Sequence, residues 1–151
     1  MSHPLHQFTY CPKCGARTFV ERNEKAKQCT TCGFVYYFNP SSAVACFIRN
    51  SKGELLLVRR AKEPAKGTLD LPGGFVDMYE SAEDAAHREV KEETGLDVTN
   101  ITYFGNQAWP YPSGLMVGFI ADYAGGEIKL QEEELSSGDF YTRDNLPELP
   151  R

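Results

Sequence analysis

Two Cys-x-x-Cys pairs near the amino terminus constrain the fold of this chain more than any other feature. They read CPKCG and CTTCG, and their cysteines are Cys11, Cys14, Cys29 and Cys32. Two thiolates two residues apart can bind one metal ion from a tight turn, with glycine supplying backbone freedom, and two such turns complete a tetrahedral shell. A segment of about 30 residues buries too little apolar surface to fold alone, so a metal ion would supply the missing stability.

The alternative for these four cysteines is a pair of disulfide bonds, which are typical of oxidising compartments. The first ten residues, MSHPLHQFTY, lack the apolar centre of a signal peptide. No apolar run approaches the ~20 residues that cross a bilayer. We therefore predict a cytoplasmic protein without a membrane segment, in which the four thiolates bind a structural zinc ion. Closed four-cysteine sites do not catalyse, so any activity must lie elsewhere in the chain.

Charge is divided unevenly along the sequence. The 151 residues carry a net charge of -5, which argues against indiscriminate nucleic-acid binding through a broad basic surface. Residues 1–40 nevertheless contain five basic and two acidic side chains, a net charge of +3, which leaves -8 for residues 41–151. We predict a zinc ribbon over residues 1–40 and a separate domain over residues 41–151.

The second part of the chain is predicted to be mainly β-strands with one long helix, an α+β fold. SAVACFIRN and GELLLVRRA flank the turn NSKG and predict a hairpin, in which Cys46 is a buried strand residue. Further strand candidates are VTNITYFG, LMVGFIADY, EIKL and DFYT. SAEDAAHREVKEETG predicts the helix, with Ser81 as the N-cap, Asp84 three residues later and Gly95 as the end. We expect His3 and His6 to lie in a frayed terminus.

Three glutamates crowd one face of the predicted helix. Glu89, Glu92 and Glu93 fall within an arc of about 100°, and like charges at this spacing cost roughly 0.2–0.5 kcal/mol per pair. Arg88 relieves part of the repulsion, whereas a divalent cation could neutralise it, and clustered carboxylate oxygens select hard ions such as Mg²⁺ or Mn²⁺. The alternative is a solvated acidic face, which the three glutamates alone do not exclude.

The residues around these glutamates form a longer pattern. From Gly74 to Leu96 the chain reads Gly-x5-Glu-x7-Arg-Glu-Val-x-Glu-Glu-x-Gly-Leu, and the first glutamate of this pattern is Glu80. The pattern resembles the Nudix hydrolase box at all nine specified positions, and the resemblance extends from Ser42 to the end of the chain. It implies the Nudix fold, a mixed β-sheet sandwiched by helices with the box as a loop-helix-loop, preceded here by a zinc ribbon.

The resemblance also implies roles for individual residues. The expected ligands of Mg²⁺ or Mn²⁺ are Glu89, Glu92, Glu93, Glu134 and the backbone carbonyl of Gly73. Among the catalytic residues Glu92 is either a ligand or the general base, and Arg88 is expected to orient it. Such a site hydrolyses a pyrophosphate bond, because bound divalent ions neutralise the phosphate oxygens and activate a water molecule for attack at phosphorus.

The stretch NQAWPYPSGLM, from Asn106 to Met116, places the single tryptophan of the chain beside two prolines in a predicted loop. Rigid aromatic side chains suit stacking on adenine or nicotinamide, although they could instead pack the loop onto the sheet. The stretch resembles the Ser-Gln-Pro-Trp-Pro-Phe-Pro-x-Ser signature of the NADH pyrophosphatases, which also carry a four-cysteine ribbon. The substrate contacts that this resemblance implies are Gln107, Trp109, Pro110, Tyr111, Pro112, Ser113, Gly114, Tyr37 and Glu24.

These resemblances predict a Mg²⁺-dependent pyrophosphohydrolase that cleaves NADH, related dinucleotides or NAD-capped RNA to a nicotinamide mononucleotide and AMP. ADP-ribose or another nucleoside diphosphate derivative is the alternative substrate. An alternative of another class is a regulatory module that binds a nucleotide without cleaving it. However, a site without catalytic activity would have little reason to keep clustered carboxylates that repel one another. The resemblance also implies a homodimer, and a closing helix at the position where this chain instead reads DNLPELPR.

Overall fold

The computed structural model describes residues 3–109 and 114–148. The chain divides into two compact units. We call Met1–Ser41 with Ala108–Leu115 the ribbon unit, and Ser42–Gln107 with Met116–Arg151 the sheet unit. In the described part of the chain no helix has both the length and the apolar character that crossing a bilayer would need.

The ribbon unit contains a three-stranded antiparallel sheet. Its strands, in spatial order, are β1 (Phe19–Asn23), β2 (Ala26–Cys29) and β3 (Val35–Tyr37). Four buried apolar side chains of this unit form one small cluster, against which Phe34 and Phe38 pack; they are Leu5, Cys11, Phe19 and Cys29. Two of these four residues are predicted metal ligands, so this core is too small to stabilise the unit by apolar burial alone.

The amino-terminal residues are ordered by specific contacts, so the expectation of a frayed terminus is wrong. Pro4–Gln7 form a short 3-10 helix, and Nδ1 of His3 accepts a hydrogen bond from the amide of Leu5 at 3.1 Å. His6 stacks on Phe38 with ring centroids 4.5 Å apart, and its Nδ1 lies 2.6 Å from a carboxylate oxygen of Glu21. Sequence reasoning missed the contacts of His6 because they join residues far apart in the chain.

The larger sheet has five strands in the order β10-β5-β4-β9-β8, with two short strands at its side: β6 pairs with β5, and β7 pairs with β4. The strands are β4 (Ser41–Arg49), β5 (Leu55–Arg60), β6 (Leu69–Asp70), β7 (Gly73–Phe75), β8 (Asp97–Trp109), β9 (Gly114–Gly125) and β10 (Leu135–Tyr141). The predicted hairpin is confirmed, since β4 and β5 pair antiparallel at Arg49 and Leu55.

Alternating burial along β4 gives the sheet one core face. Val44, Cys46 and Ile48 are fully buried, and the residues between them are partly exposed. This is the period-two pattern of a strand with one face against a core. Burial raises the pKa of the Cys46 thiol to about 11, so Cys46 is an inert core residue, as predicted.

The predicted helix is confirmed as α1 (Ala82–Thr94). The Ser81 hydroxyl accepts from the amide of Asp84 at 3.1 Å, and Asp84 accepts from the amide of Ser81 at 3.2 Å, which completes a capping box. Gly95 ends the helix in the left-handed conformation at φ +75°. The helix buries its apolar side chains against the sheet; these are Ala85, Ala86 and Val90. A β-sheet covered by one long helix agrees with the predicted fold class.

Two predictions of secondary structure need correction. EIKL is not a strand: the amides of Lys129 and Gln131 instead donate to the carbonyls of Thr94 and Glu93, at 2.8 and 3.0 Å, near the end of α1. The predicted loop NQAWPYPSGLM is also too long, because β8 continues to Trp109 and β9 begins at Gly114. At the carboxyl end the described residues Arg143–Asn145 form a short 3-10 turn.

Candidate functional site

The four predicted zinc ligands lie together in the ribbon unit. The sulfur atoms of Cys11, Cys14, Cys29 and Cys32 all lie within 4.8 Å of one another. Two Sγ–Sγ pairs, Cys11 with Cys32 and Cys14 with Cys29, are each 3.7 Å apart. Disulfide sulfurs would be about 2.05 Å apart, whereas four sulfurs at about 2.3 Å from one tetrahedral ion would be about 3.8 Å apart. The sulfur geometry therefore fits a metal ion and contradicts the disulfide alternative.

The two turns that carry these cysteines have the same backbone geometry. Gly15 and Gly33 donate hydrogen bonds to the carbonyls of Cys11 and Cys29, at 2.8 and 2.9 Å. Both glycines have positive φ angles, +74° and +77°, a conformation that other residues adopt only at a cost. The glycine after each cysteine pair is therefore required by the turn that brings the two sulfurs onto one side.

The surroundings of Cys29 favour its thiolate. The Thr18 hydroxyl lies 3.3 Å from its sulfur and the amide of Cys32 lies 3.5 Å away. These donors, with the hydroxyl contributing most, lower the pKa of Cys29 to about 6. Metal binding requires deprotonated cysteine, so this sulfur is prepared for a metal ion before the ion arrives.

In the sheet unit the two glycines of LPGG bring backbone close to other parts of the structure. Gly73 and Gly74 lie on β7 and pair with Ala45 and Val44 of β4. A Cβ on Gly73 would overlap the Val44 carbonyl, and a Cβ on Gly74 would lie 2.5 Å from the carboxyl carbon of Glu89. Glycine at both positions thus lets β7 pair with β4 and lets the Glu89 carboxylate lie directly against the β7 backbone.

Arg88 connects the box loop to the box helix. Its Nη2 and Nε donate to the two carboxylate oxygens of Glu80 at 2.6 and 3.1 Å, and Nη2 also donates to the carbonyl of Phe75 at 2.9 Å. Its Nη1 donates to Glu89 at 2.8 Å and to Glu92 at 3.2 Å. These hydrogen bonds, above all those to Glu80, raise the pKa of Arg88, and Arg88 in turn lowers the pKa of Glu80. One guanidinium therefore positions three carboxylates.

Glu93 is the carboxylate at the centre of the site. Its Oε2 accepts a hydrogen bond from the amide of Gly73 at 3.0 Å. Burial raises the pKa of Glu93 to about 7; the Gly73 hydrogen bond opposes this shift, and the negative charges of Glu89, Glu134 and Asp70 add to it. Glu93 therefore binds the start of β7 and lies within the electrostatic influence of three further acidic side chains.

The carboxylates around Glu93 each have a basic partner, and Glu93 does not. Glu89 pairs with Arg88, Asp70 pairs with Arg60 at 3.1 Å, and Glu134 pairs with Lys62. Among residues 3–109 and 114–148, no lysine or arginine nitrogen lies within 4.0 Å of the Glu93 carboxylate. A half-buried carboxylate that is surrounded by negative charge and has no cationic partner fits a hard divalent ion as its counter-ion.

The box carboxylates are nevertheless not drawn into one compact shell. In the described residues, no three carboxylates have an oxygen each within 4.8 Å of one another. Glu92 differs from its neighbours, because its side chain is 56% exposed and that of Glu89 is 14% exposed. The structure therefore brings Glu89, Glu93 and Glu134 into one neighbourhood and leaves Glu92 at its solvent side, held only by Arg88.

The predicted substrate-contact residues are only partly described. Trp109, at the end of β8, is half exposed, and a Cβ on Gly114 would lie 3.3 Å from the Cβ of Trp109, so glycine allows β9 to begin close beside it. Gln107, Glu24 and Tyr37 are exposed. Four predicted contacts lie outside the described residues: Pro110, Tyr111, Pro112 and Ser113.

Sequence reasoning missed two residues of the acidic site, Asp70 and Lys62. Asp70 reaches Glu93 because β6 pairs with β5, where Asp70 lies opposite Val58. Lys62 reaches Glu134 because the segment after β5 lies beside the segment before β10. The amide of Ala61 donates to the carbonyl of Glu134 at 2.8 Å, which joins the two segments. The sequence signal for Asp70 was its place three residues before Gly73; Lys62 gave none.

Comparison with protein families agrees with this geometry. The family model of the NUDIX domain matches residues 39–151, and the model described as the NADH pyrophosphatase zinc ribbon domain matches residues 6–37. The chain belongs to the Nudix family.

Its relatives include proteins named NAD-capped RNA hydrolase NudC. The protein of Vibrio vulnificus strain CMCP6 is 38% identical over 145 residues, which cover 96% of this chain and 55% of that protein. The protein of Mannheimia succiniciproducens is 43% identical over 157 residues, which cover 99% of this chain and 58% of that protein. The chain thus spans little more than half the length of these curated relatives.

Among solved structures, the chain is similar to a NUDIX hydrolase from Nitrosomonas europaea. The TM-score is 0.75 at 24% sequence identity, and the match covers 93% of this chain and 81% of that chain. At this identity the likeness concerns the fold alone, and it confirms the Nudix fold predicted from the box.

Proposed function

We propose that this protein is a divalent-metal-dependent pyrophosphohydrolase that cleaves NADH, NAD-like dinucleotides or the NAD cap of RNA into a nicotinamide mononucleotide and AMP. The observation that carries the proposal is Glu93, a half-buried carboxylate that has no cationic partner among the described residues and lies beside three further carboxylates and the backbone of Gly73. A site with surplus negative charge and hard oxygen donors suits Mg²⁺ or Mn²⁺ bridged to substrate phosphates.

The proposed ligands of the divalent ion are Glu89, Glu93, Glu134 and the carbonyl of Gly73, and Glu92 is either a further ligand or the general base. When bound, such an ion neutralises the pyrophosphate oxygens and lowers the pKa of water. The chain's own contribution is positioning. Arg88 fixes Glu89 and Glu92 through one nitrogen, and the Gly73 amide fixes Glu93. In the ribbon unit we propose zinc as the ion of the four cysteines, in a structural role.

Glu92 is our proposed proton acceptor. Its carboxylate is exposed, so it can reach a water molecule, and its Oε2 accepts a hydrogen bond from Arg88 at 3.2 Å. A Glu92→Gln variant distinguishes a base from a ligand. Loss of the base lowers kcat and leaves the Mg²⁺ concentration for half-maximal rate unchanged, whereas loss of a ligand raises that concentration.

The substrate class rests on two independent supports. The residues that match the zinc ribbon model lie directly before the Nudix match, and the named relatives are NAD-capped RNA hydrolases. We also propose that Trp109 stacks on a flat ring of the substrate, because half of its surface is exposed. The other proposed contacts are Gln107, Gly114, Tyr37, Glu24 and the residues from Pro110 to Ser113.

The organisation of the protein is also a proposal. We propose a zinc ribbon over residues 1–40 and a hydrolase domain over residues 41–151, in a cytoplasmic homodimer. Sedimentation equilibrium of the purified chain measures the assembly: one species at twice the mass of 16.9 kDa supports the dimer, and one species at that mass contradicts it.

The deciding experiment is a product analysis. The purified full chain is incubated with Mg²⁺ and, separately, NADH, NAD, ADP-ribose, diadenosine polyphosphates or FAD, and the nucleotides are separated by chromatography. We expect AMP and reduced nicotinamide mononucleotide from NADH. If none of these substrates released AMP, the proposal would be contradicted. If ADP-ribose were cleaved much faster than NADH, ADP-ribose would be the substrate class in place of the dinucleotides.

Two variants on the same helix provide the control. Glu93→Gln removes the central carboxylate and is expected to abolish the Mg²⁺-dependent activity. Glu83→Gln makes the same chemical change at an exposed position in the first turn of α1 and is expected to retain wild-type turnover. Equal losses in both variants would mean that the Glu93 effect arises from general damage to the helix.

A further inference from the structure

The ribbon unit contains an apolar hollow that the proposed hydrolysis does not use. Its volume is about 190 Å³, and it is lined by His3, Pro4, Leu5, Phe8, Pro12 and Tyr36. The two large aromatic side chains on its walls are open to solvent: Phe8 is 56% exposed and Tyr36 is 47% exposed. Exposed aromatic walls around an apolar hollow form a surface that suits an apolar or flat ligand.

The hollow is too small for a second dinucleotide site. Pockets for drug-sized ligands are about 300–1,000 Å³, whereas this one offers room for a single flat ring. Walls of proline and aromatic rings suit stacking, which every nucleobase can satisfy because each has a π face. The expected occupant is therefore one base of a longer chain.

The exposed charge of the ribbon unit supports a phosphate backbone as the rest of that chain. Lys27 is buried and donates to the carbonyls of Leu5 and Phe8, so it does not contribute to the surface. Glu21, one of the two acidic residues of the ribbon, lies against His6. The remaining basic side chains of the ribbon are exposed; they are Lys13, Arg17, Arg22 and Lys25.

These four cations are not neutralised by neighbouring carboxylates. Within the described ranges, none of them forms a salt bridge with an aspartate or glutamate. Lys13 follows Pro12 of the hollow, and the guanidinium of Arg17 lies 6.0 Å from the ring of Tyr10, two residues beyond Phe8. Phosphates attract exposed cations, and a stacked base suits the aromatic rings of the hollow.

We propose that the ribbon unit binds a short single-stranded segment of RNA, with one base in the hollow between Phe8 and Tyr36 and flanking phosphates at Lys13 and Arg17. The proposal rests on the proposed function, since it assigns a surface for the RNA body of a capped substrate. It also explains why a positively charged segment precedes a domain of net charge -8. An apolar peptide would fill the hollow equally well but would leave the four cations unexplained.

The first experiment measures binding without hydrolysis. A fluorescein-labelled single-stranded oligoribonucleotide of about 10 nucleotides, within the ~4–16 that single-strand modules cover, is titrated with the full chain at low salt. It carries no NAD cap, and binding is followed by fluorescence anisotropy. Phe8→Ala and Tyr36→Ala should each raise Kd about tenfold, because each removes a stacking surface. Tyr36→Phe keeps the ring and should bind as the wild type does.

The second experiment tests the phosphate contacts. The slope of log K against log salt falls by about 0.7 for each lost contact to a single strand. The double variant Lys13→Gln/Arg17→Gln should therefore reduce the slope by about 1.4. Lys52→Gln removes one exposed lysine from the turn between β4 and β5 and should leave the slope unchanged. Zinc content of every variant verifies that the ribbon is folded.

NADH hydrolysis separates this proposal from the proposed function. Variants at the hollow should cleave NADH at wild-type rates while they bind RNA more weakly. The proposal is overturned if the wild type does not bind the oligonucleotide, if Tyr36→Ala binds it as the wild type does, or if the salt slope does not change. Unchanged RNA affinity together with an altered sedimentation coefficient for Tyr36→Ala would identify the hollow as a protein contact instead.

Discussion

Arg88 and Glu80 form a two-point hydrogen bond across eight residues of sequence: Nη2 donates to Oε1 at 2.6 Å and Nε donates to Oε2 at 3.1 Å. This pair ties the loop that follows β7 to the middle of α1. The amide of Asp77 adds a third hydrogen bond to Glu80, at 2.6 Å. Arg88, which positions Glu89 and Glu92, is therefore itself held by the loop that contains Glu80. The geometry of the site depends on Arg88 and on this loop.

The first prediction concerns the shape of this pair. Arg88→Lys keeps the positive charge but cannot bind Glu80 at two points while also reaching Glu89. We expect kcat for NADH to fall by about 10–100-fold, the range found when groups that orient metal ligands are changed. The Mg²⁺ concentration for half-maximal rate should rise, a change that a purely structural role would not produce.

The control for this variant lies elsewhere in the sheet unit. Arg49 donates to Asp122 at 2.7 Å on the surface, and Arg49→Lys makes the same chemical change far along the sequence from the box. We expect unchanged kcat and an unchanged Mg²⁺ requirement. If Arg88→Lys also left both values unchanged, Arg88 would not be a positioning residue.

The second prediction separates two adjacent glycines. A Cβ on Gly74 would meet only the end of the flexible Glu89 side chain, so Gly74→Ala should fold and displace that carboxylate, with a large loss of activity. A Cβ on Gly73 would meet backbone of Val44 and Ala45, so Gly73→Ala should lower the free energy of unfolding by about 1–3 kcal/mol or more. Urea denaturation and Mg²⁺-dependent rates distinguish the two variants. Equal losses of stability in Gly73→Ala and Gly74→Ala would contradict the different roles of the two glycines.

Local chemistry explains which features could be predicted from the sequence. Ser81, Asp84 and Gly95 bound the helix because caps act within one turn. The cysteine spacing predicted the sulfur cluster because each pair closes its own turn. The box pattern predicted that Glu89 and Glu93 would share a face.

Features that depend on strand pairing could not be predicted in the same way. Asp70 lies near Glu93 only because β6 pairs with β5. EIKL has the composition of a strand, but its amides are taken by carbonyls near the end of α1. In both cases a long-range hydrogen-bond partner decides the outcome, and the sequence window does not contain that partner.

The third prediction concerns metal removal from the ribbon. We expect one zinc ion per chain, and we expect amides of β1, β2 and β3 to lose protection from hydrogen exchange after the metal is chelated, because the apolar cluster there is small. Protection in β4 and β5 should persist. Added Zn²⁺ should restore the ribbon.

Two cysteine variants provide the matched comparison. Cys29→Ser removes a sulfur of the cluster and should lose the metal, whereas Cys46→Ser changes a buried core cysteine of the sheet unit and should keep one zinc ion per chain. Ribbon amides that stay protected in metal-free protein would contradict a metal-dependent fold.

The fourth prediction concerns pH. Hydrogen bonds from the Ser81 hydroxyl and amide hold the pKa of Asp84 below its ordinary value of about 4. Because the folded-state pKa is the lower one, this stabilisation is present above about pH 4 and is lost as the pH falls through the folded-state value. Asp84→Asn should be less stable than the wild type at pH 7, and the difference should shrink in acid.

Urea denaturation at several pH values, without added divalent ions, measures this difference. Glu83→Gln, at the exposed position beside Asp84, serves as the control and should show no such convergence. A stability difference between Asp84→Asn and the wild type that stays constant from pH 7 into acid would exclude the capping box as its cause.

The fifth prediction concerns Tyr79, which precedes Glu80 and has a φ of +72° with a fully exposed side chain. A left-handed conformation costs an ordinary residue about 1–2 kcal/mol, and no packing offsets this cost because the ring touches solvent. Tyr79→Gly should remove the strain, although glycine loses about 0.4–1 kcal/mol through its freer unfolded state. We expect a net gain of up to about 1 kcal/mol, or roughly 2–4 °C in Tm.

Tyr79→Ala removes the ring but keeps the strain, so it should show no gain. If the alanine variant were stabilised as much as the glycine variant, the exposed ring and not the backbone would be the source of the cost.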